Sequence, residues 1–312
     1  MARWLRRLAP YYKEAGLDIT DAPPAAGRVP FDDAQCRLVE ELHPQVVSFH
    51  FGLPDAALLE RVRAAGARIL GCATTVAEAR WLEERGCDAV IAQGSEAGGH
   101  RGTFLPDIAS VTLDPVLQKM KAGSGFHPPR PPTTTQSSAT GSSVTLVGTM
   151  ALVPQVVDAM RIPVIAAGGI GDGRGIAAAF MLGAAAVQIG TAYLRTPEAK
   201  ISAPHRQALK TALVHATAIT NVLTGRPARG FLNRLMREQG PLLDDVPPFP
   251  LASGALAPLR AWGEATGLGD FSPLWSGQAA SLAREIPAGE LTRSLAESAL
   301  ARLGGPSQPA MG

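Results

Sequence analysis

The stretch that decides the fold is "VIAAGGIGDGRGIAAAFMLGAAAVQIGT", Val164 to Thr191. It opens as a continuous apolar, β-rich run, "VIAAGGI", and breaks into a glycine-rich turn. A small-residue helix is expected to begin near Gly175, and a second apolar run, "AAVQIGTAYL" (Ala185 to Leu194), follows. Strands with no polar alternation are strands buried on both faces, and a helix between two of them is the parallel βαβ unit.

Working outward, the same unit recurs towards the N-terminus. "VVSFHFG" (Val46 to Gly52), "ARILGCATT" (Ala67 to Thr75) and "DAVIAQG" (Asp88 to Gly94) are strand-like. Helical stretches such as "PDAALLERVRAAG", "TVAEARWLEERG" and "MALVPQVVDAM" lie between the strands. Most strand starts are spaced by about 20 residues, which suits the βα units of a barrel. The expected fold class is therefore α/β, a TIM (β/α)₈-type barrel. Leucine-rich repeats share a period of this length, but their asparagine ladder is missing here.

Eight strands close such a barrel, and about five can be counted. Residues 1–45 read as two N-terminal helices, "RWLRRLAPYYKEAG" and "FDDAQCRLVEELHP", joined by a Pro/Ala loop, so the barrel is expected to be incomplete. Barrel units occupy 46–104 and 147–195, separated by an insert at 105–146. The Pro/Ser/Thr/Gly-rich core of that insert, about 123–143, is too poor in apolar residues to offset its ordering entropy. It is expected to be disordered after a short helix near "LDPVLQKMKAG", with His127 a solvated loop residue. Residues 196–312 read as a helical subdomain, built from "HRQALKTALVHA", "GFLNRLMREQG", "PLRAWGEAT" and "IPAGELTRSLAESALARL".

The chain has 312 residues, 46% hydrophobic and 18% charged, with a net charge of +2. That balance is globular and gives no basic footprint for nucleic acid. No apolar run reaches the ~18 residues of a membrane span, and the N-terminus lacks a secretory h-region. Cys36, Cys72 and Cys87 have neither metal-ligand spacing nor an even number, so a reducing, cytoplasmic setting is expected, and Cys72 and Cys87, in or beside strand-like runs, are expected to be buried structural thiols.

Two glycine loops follow the last two strands, at Gly168–Gly169 and at Gly190–Thr191. Loops after the final strands of such barrels make phosphate sites, because glycine lets backbone N–H groups approach an anion and a helix N-terminus adds positive charge. Tight turns and helix–sheet packing alone are the alternative. The register is not the G-x-G-x-x-G of a dinucleotide fold. No His/Asp/Glu set has metal spacing, and no G-x-S-x-G elbow is present.

The loop "IAQGSEAGGHRGTF" (Ile91 to Phe104) leaves its strand at the same mouth. Gln93 carries an amide suited to the edge of a heterocycle such as a flavin ring. Gly98 and Gly99 let a planar ligand approach. His100 offers a base whose unperturbed pKa is near 6.5; a hydrogen-bonded loop histidine is the alternative. Glu96 is expected to orient the loop or the imidazole. His50 is a pocket wall or a structural side chain, and His43, His205 and His215 fall on helical surfaces as solvated groups.

Taken together, "AQGSEAGGHRG" (Ala92 to Gly102), "AAGGIGDGRGIAAAFMLGAAAVQIGT" (Ala166 to Thr191) and "TGRPARGFLN" (Thr224 to Asn233) resemble the nitronate monooxygenase family, formerly 2-nitropropane dioxygenases, in its class I branch. "VVSFHFG" and "LWSGQAASLARE" (Leu274 to Glu285) look familial too. The resemblance implies a TIM barrel with a helical second domain and non-covalent FMN. It implies that Gln93 and Gly98 contact the flavin, and that Gly169, Gln188, Ile189, Gly190 and Thr191 hold its phosphate. His100 matches the family's base, which takes the α-proton of a nitroalkane. The anion, or a nitronate bound directly, is then oxidised by way of FMN and O₂ to a carbonyl compound and nitrite. Small nitro compounds and O₂ are the implied partners. The family's early strand with a "Q-x-P-M"-like motif and an early asparagine for FMN are not found, and the 105–146 connection is longer than the family's. These departures imply a chain truncated at its N-terminus. A related flavin oxidoreductase of the NAD(P)H:quinone or enoyl reductase type, or a non-catalytic barrel fragment, is the alternative reading.

Overall fold

The computed structural model describes residues 1–19, 29–105, 146–211 and 216–304. The expected disordered insert, the short helix within it, His127 and His215 lie outside the described residues.

Five parallel strands form one sheet: β1 (Val46–Phe49), β2 (Arg68–Ala73), β3 (Ala89–Gln93), β5 (Val164–Ala167) and β6 (Ala186–Gln188), side by side in that order. The central β3 is buried throughout and reads as a continuous apolar run, whereas the edge strands β1 and β6 are largely exposed or half-buried. The register sets Gln93 beside Ala167, and Ala167 beside Gln188, so these residues form one row at the C-terminal edge of the sheet. That edge is where (β/α) barrels build their sites. Among the described residues β1 and β6 have no strand on their outer sides, so the sheet is an open arc of five.

Helices α2 (Asp33–Leu42), α3 (Ala56–Ala64), α4 (Val76–Glu84), α5 (Thr149–Ala159) and α6 (Gly173–Met181) accompany this sheet. Their starts are written locally. Asp32 and Gln35 form a reciprocal capping box at α2, with bonds of 3.0 and 3.1 Å, and Thr75 accepts from Glu78 N at 3.1 Å at α4. The core between sheet and helices is made of Val62, Ile69, Leu82, Val90, Val153 and Val156, all fully buried. Each such side chain contributes about 1.5–3 kcal/mol relative to exposure. Gly71 lets Leu82 lie directly on β2: a Cβ there would stand 2.6 Å from Leu82 Cδ2.

The first helix, α1 (Ala2–Ala15), belongs to a different core. Trp4, Leu8 and Tyr12 are buried against Leu235, Met236, Leu256 and Leu259. Tyr12 Oη donates to the Ala255 carbonyl at 2.7 Å. The region after Leu194 is not purely helical, as its composition suggested. Thr217–Thr220 (β7) and Ala228–Phe231 (β8) pair antiparallel, and β8 also pairs with the two-residue strand β4, Gly99–His100. "GFLNRLMREQG" was expected to be one helix; its first residues are strand and only Arg234–Gln239 is helical. Gly230 and Phe231 pair with Ala218 and Thr217, and cross-strand pairing outweighed the helical periodicity that Leu235 and Met236 suggested.

Candidate functional site

β3 is buried throughout and ends in Gln93. The Gln93 amide is fully engaged. Its Nε2 donates to the His100 carbonyl at 3.0 Å, and its Oε1 accepts from Gly102 N at 2.8 Å and Arg101 Nη1 at 3.3 Å. The side chain that was expected to face a ligand therefore also fixes the chain from His100 to Gly102, while still bordering the cavity described below.

His100 sits not in a flexible turn but on β4, opposite Ala228. Arg101 N continues the pairing to the Pro227 carbonyl at 2.8 Å. His100 Nε2 lies 2.9 Å from Thr224 Oγ1. That hydroxyl is also within 3.2 Å of the Arg226 carbonyl, so Thr224 ties the imidazole to the turn before β8. Three aromatic rings surround the imidazole, Phe51, Phe249 and Trp275, with centroids 5.8, 5.3 and 5.4 Å away.

Two carboxylates anchor this loop: Glu96, expected to orient the loop or the imidazole, and Glu78, which the sequence reading did not single out. Glu96 does not reach the imidazole. It accepts from Thr149 N at 2.8 and 3.0 Å and from Thr149 Oγ1 at 2.9 Å, where the start of α5 favours negative charge. Glu78, 1% exposed, accepts from Thr74 N and Oγ1, both at 2.7 Å, and from Phe104 N at 2.7 Å. It thereby ties the end of the His100 loop to α4. Arg101 is also buried, donating to the carbonyls of Gln93 and Gly94 at 3.1 and 2.6 Å. The signal for Glu78 was the pair "TTVAE", a capping pattern in which the acid is also buried.

The glycine loops after β5 and β6 face the end of β3 across a cavity of about 220 Å³. Gln93, Gly98, Gly169, Gln188, Gly190 and Thr191 all border it. Ile189 does not; its side chain packs outward with Ile176 and Tyr193. Gly168 and Gly169 both have positive φ, 111° and 70°, so this turn needs glycine for its backbone alone. Gly190 is different: its φ of −106° is ordinary, and a Cβ there would meet nothing within 4 Å. It leaves open space in the cavity rather than relieving a clash. Thr191 Oγ1 accepts from Gly277 N at 2.9 Å, and Gln278 N bonds the Glu96 carbonyl at 3.0 Å, so the segment after Trp275 closes one side.

One expectation about this cavity is corrected. The N-terminus of α6 was to supply positive charge for an anion. Asp172 caps it instead, accepting from Arg174 N at 2.9 Å and Gly175 N at 3.3 Å. Burial would raise the Asp172 carboxyl, but the hydrogen bonds from Arg174 and Gly175 outweigh it and hold its pKa below the usual value. The helix end is thus already occupied by its own anion, and the loop backbones remain for a ligand.

The other histidines divide. His50, placed next to Phe51, points its Nε2 at the His100 carbonyl 3.3 Å away; burial lowers its pKa against the opposing effect of that bond. His43 is exposed at the end of α2. His205 was expected on a solvated helical surface, yet it is 7% exposed, with Nε2 2.9 Å from the Trp275 carbonyl and burial lowering its pKa. The helix carrying it, α7 (Ala203–Ala208), turns this face onto Phe231 and the Trp275 segment rather than to water. The three cysteines are buried, and burial pushes the Cys72 and Cys87 thiols up to about 12 and about 11, so they stay protonated and unreactive. Among the described residues no group of His, Cys, Asp or Glu could hold a metal ion, and no helix is long and apolar enough to cross a membrane.

Comparison with known proteins identifies the family. The family model described as "Nitronate monooxygenase" matches residues 13–122 and 116–298. A nitronate monooxygenase of Pseudomonas aeruginosa is 38% identical over 300 residues, covering 94% of this chain and 75% of the relative. A probable nitronate monooxygenase of Staphylococcus saprophyticus is 37% identical over 270 residues, covering 86% of this chain and 66% of the relative. The crystal structure of nitroalkane oxidase from Streptomyces ansochromogenes superposes with a TM-score of 0.76 at 36% identity, covering 97% of this chain and 77% of that one. The chain spans about two thirds to three quarters of the length of these relatives. On both the family model and these identities, the chain belongs to the nitronate monooxygenase family.

Proposed function

We propose that this chain binds FMN between its two glycine loops and oxidises alkyl nitronates, with His100 as the base that admits neutral nitroalkanes to the same reaction. The observation that carries this reading is spatial. Six residues from three separate segments, Gln93 and Gly98, Gly169, and Gln188, Gly190 and Thr191, border one cavity, and His100 stands beside Trp275, which borders it too.

The residues fit such a cofactor. Gly190 keeps a volume free that any side chain would enter, and the backbone of Gly168–Ile170 and Ile189–Thr191 offers N–H groups of the kind that bind phosphate. Gly98 has no side chain on the same wall. Bound FMN would supply the redox centre that takes electrons from the substrate anion before O₂ completes the oxidation to a carbonyl compound and nitrite. The protein's own tasks are narrower. Gln93 and β8 hold the His100 backbone. Thr224, 2.9 Å from Nε2, orients the imidazole that would accept the α-proton of a nitroalkane. Phe51, Phe249 and Trp275 pack around the imidazole and limit its rotation.

Two measurements test the reading. Purified chain should take up FMN and then release nitrite and consume O₂ with ethylnitronate, in preference to NADH-dependent quinone reduction. Protein that stays colourless after incubation with FMN would sink it. The His100→Asn variant should lose at least about 100-fold in kcat/KM on neutral nitroethane and far less on pre-formed ethylnitronate. Equal losses on the two substrates would remove His100 from the role of base.

A further inference from the structure

We propose that Arg226 is a positioning residue for the base: its guanidinium holds the Phe51 ring in place, and that ring in turn sets how the His100 imidazole stands. The inference rests on the reading of His100 as the base. It begins with the backbone just after β1. Among the described non-glycine residues only His43 and Phe51 have positive φ, 43° and 73°. His43 ends α2, where a left-handed residue is ordinary. Phe51 ends no helix. A bulky aromatic residue keeps such a conformation only where its surroundings hold it there.

Arg226 is the holding group. Its Cζ lies 3.8 Å from the Phe51 ring centroid, well inside the range of a cation–π contact. The guanidinium is half-buried, and its Nη2 donates to the Thr103 carbonyl, which pins it beside the ring. His100 then meets Phe51 edge to face, with the two planes at 84°. The turn that carries Arg226 also grips the imidazole directly. Thr224 Oγ1 is 2.9 Å from His100 Nε2, and Arg226 N donates to that same oxygen at 3.4 Å. This turn has little freedom: Gly225 has φ 88°, and a Cβ there would collide with the Pro247 carbonyl oxygen. One rigid turn therefore meets the base twice, at Nε2 by Thr224 and across the Phe51 ring by Arg226. Arg226 borders neither the glycine cavity nor the cavity of about 340 Å³ beyond His100. Its effect on the reaction runs through Phe51.

The test compares Arg226→Met, Phe51→Leu and the double variant with the parent, each as purified full chain with FMN added. O₂ uptake is followed on nitroethane and on ethylnitronate. Arg226→Met should lower kcat on nitroethane by about 5- to 30-fold, the worth of a partly desolvated cation–π contact. KM should stay within about twofold, because the residue does not touch the substrate, and ethylnitronate turnover should change by less than about threefold. Phe51→Leu should behave alike, and adding Arg226→Met to it should cost no more than about a further twofold. Losses that multiply overturn the proposal, as do equal losses on the two substrates where His100→Asn still separates them. A second measurement does not depend on turnover. The Cε1–H NMR signal of His100, assigned by its absence in His100→Asn, should move in Arg226→Met and in Phe51→Leu, because both displace the aromatic ring beside the imidazole. An unmoved signal in Arg226→Met overturns the proposal whatever the activity. If the signal moves but His100→Asn loses both substrates equally, the base reading falls and the positioning of the imidazole by Arg226 stands. Should Arg226→Met fail to fold, Arg226→Lys, which keeps the charge but not the planar guanidinium, is read by the same signal.

Discussion

Gly190→Ala separates a glycine kept for the fold from a glycine kept for a ligand. At Gly190 the backbone has φ −106° and ψ −71°, which an alanine adopts, and its Cβ would meet no atom within 4 Å. The protein without ligand should therefore tolerate the change. Restricting the unfolded chain should even raise its stability by about 0.4–1 kcal/mol. The bound phosphate should feel the opposite. A methyl group at the mouth of the loop denies close approach to the backbone N–H groups, and one lost hydrogen bond to a charged oxygen costs about 1.5–3 kcal/mol. That corresponds to an FMN affinity weakened about 10- to 150-fold. Equilibrium titration by quenching of FMN fluorescence reads the affinity, and urea unfolding of the FMN-free protein reads the stability. Gly277→Ala serves as the contrast. Its Cβ would lie 2.8 Å from the Glu96 carbonyl, so it should destabilise the chain with or without FMN. An unchanged FMN affinity in a stable Gly190→Ala protein would refute the assignment of this cavity to the phosphate.

Two further expectations concern the frame of the site. Glu78→Gln replaces an acceptor-only carboxylate, facing N–H and O–H donors from Thr74 and Phe104, by an amide that turns one NH₂ towards them. It should cost about 2–4 kcal/mol in urea unfolding; a loss below about 0.5 kcal/mol would mean that Glu78 does not anchor the His100 loop. Burial lowers the pKa of His205 in the folded chain, so the unfolded state binds the proton more tightly. Its contribution to stability is complete above the unfolded value near 6.5 and is lost as pH falls from there through the folded value, by up to about 1.4 kcal/mol per pH unit. His205→Gln should flatten the dependence of the urea midpoint between pH 7.5 and 5.5. His50, depressed in the same sense, should keep part of the slope; identical slopes in variant and parent would exclude His205 as a source.

The parallel sheet was legible because its information is local. Runs such as "DAVIAQG" and "VIAAGGI" carry apolar residues on both faces at their centres, and their alternation with helical stretches marks them as strands of a covered parallel sheet. The thiols were legible for the same reason. The antiparallel sheet was not, because β4 has two residues and exists through pairing with Ala228 and Arg229 more than 120 positions away. Nothing in "GGH" announces a strand. His205 was misjudged by its helix, since a six-residue helix has no periodic face to read and only the Trp275 carbonyl decides its environment.

The same distinction explains why His100 could not be settled from its own loop. Its neighbours in sequence supply flexibility, which favours a turn residue as much as a base. Its orientation comes from elsewhere: Gln93 and Ala228 fix the backbone, Thr224 holds Nε2, and Phe249 and Trp275 pack around the ring. Thr224, Phe249 and Trp275 all come from the C-terminal region that composition marked as a separate helical subdomain. A base built this way depends on the two regions staying together. The β4–β8 pairing, Arg229 Nε on the Ser95 carbonyl at 2.8 Å and Gln278 N on the Glu96 carbonyl at 3.0 Å are the bonds that hold them. Substitution at Arg229, which lies outside both cavities, should therefore disturb the imidazole before it disturbs either core.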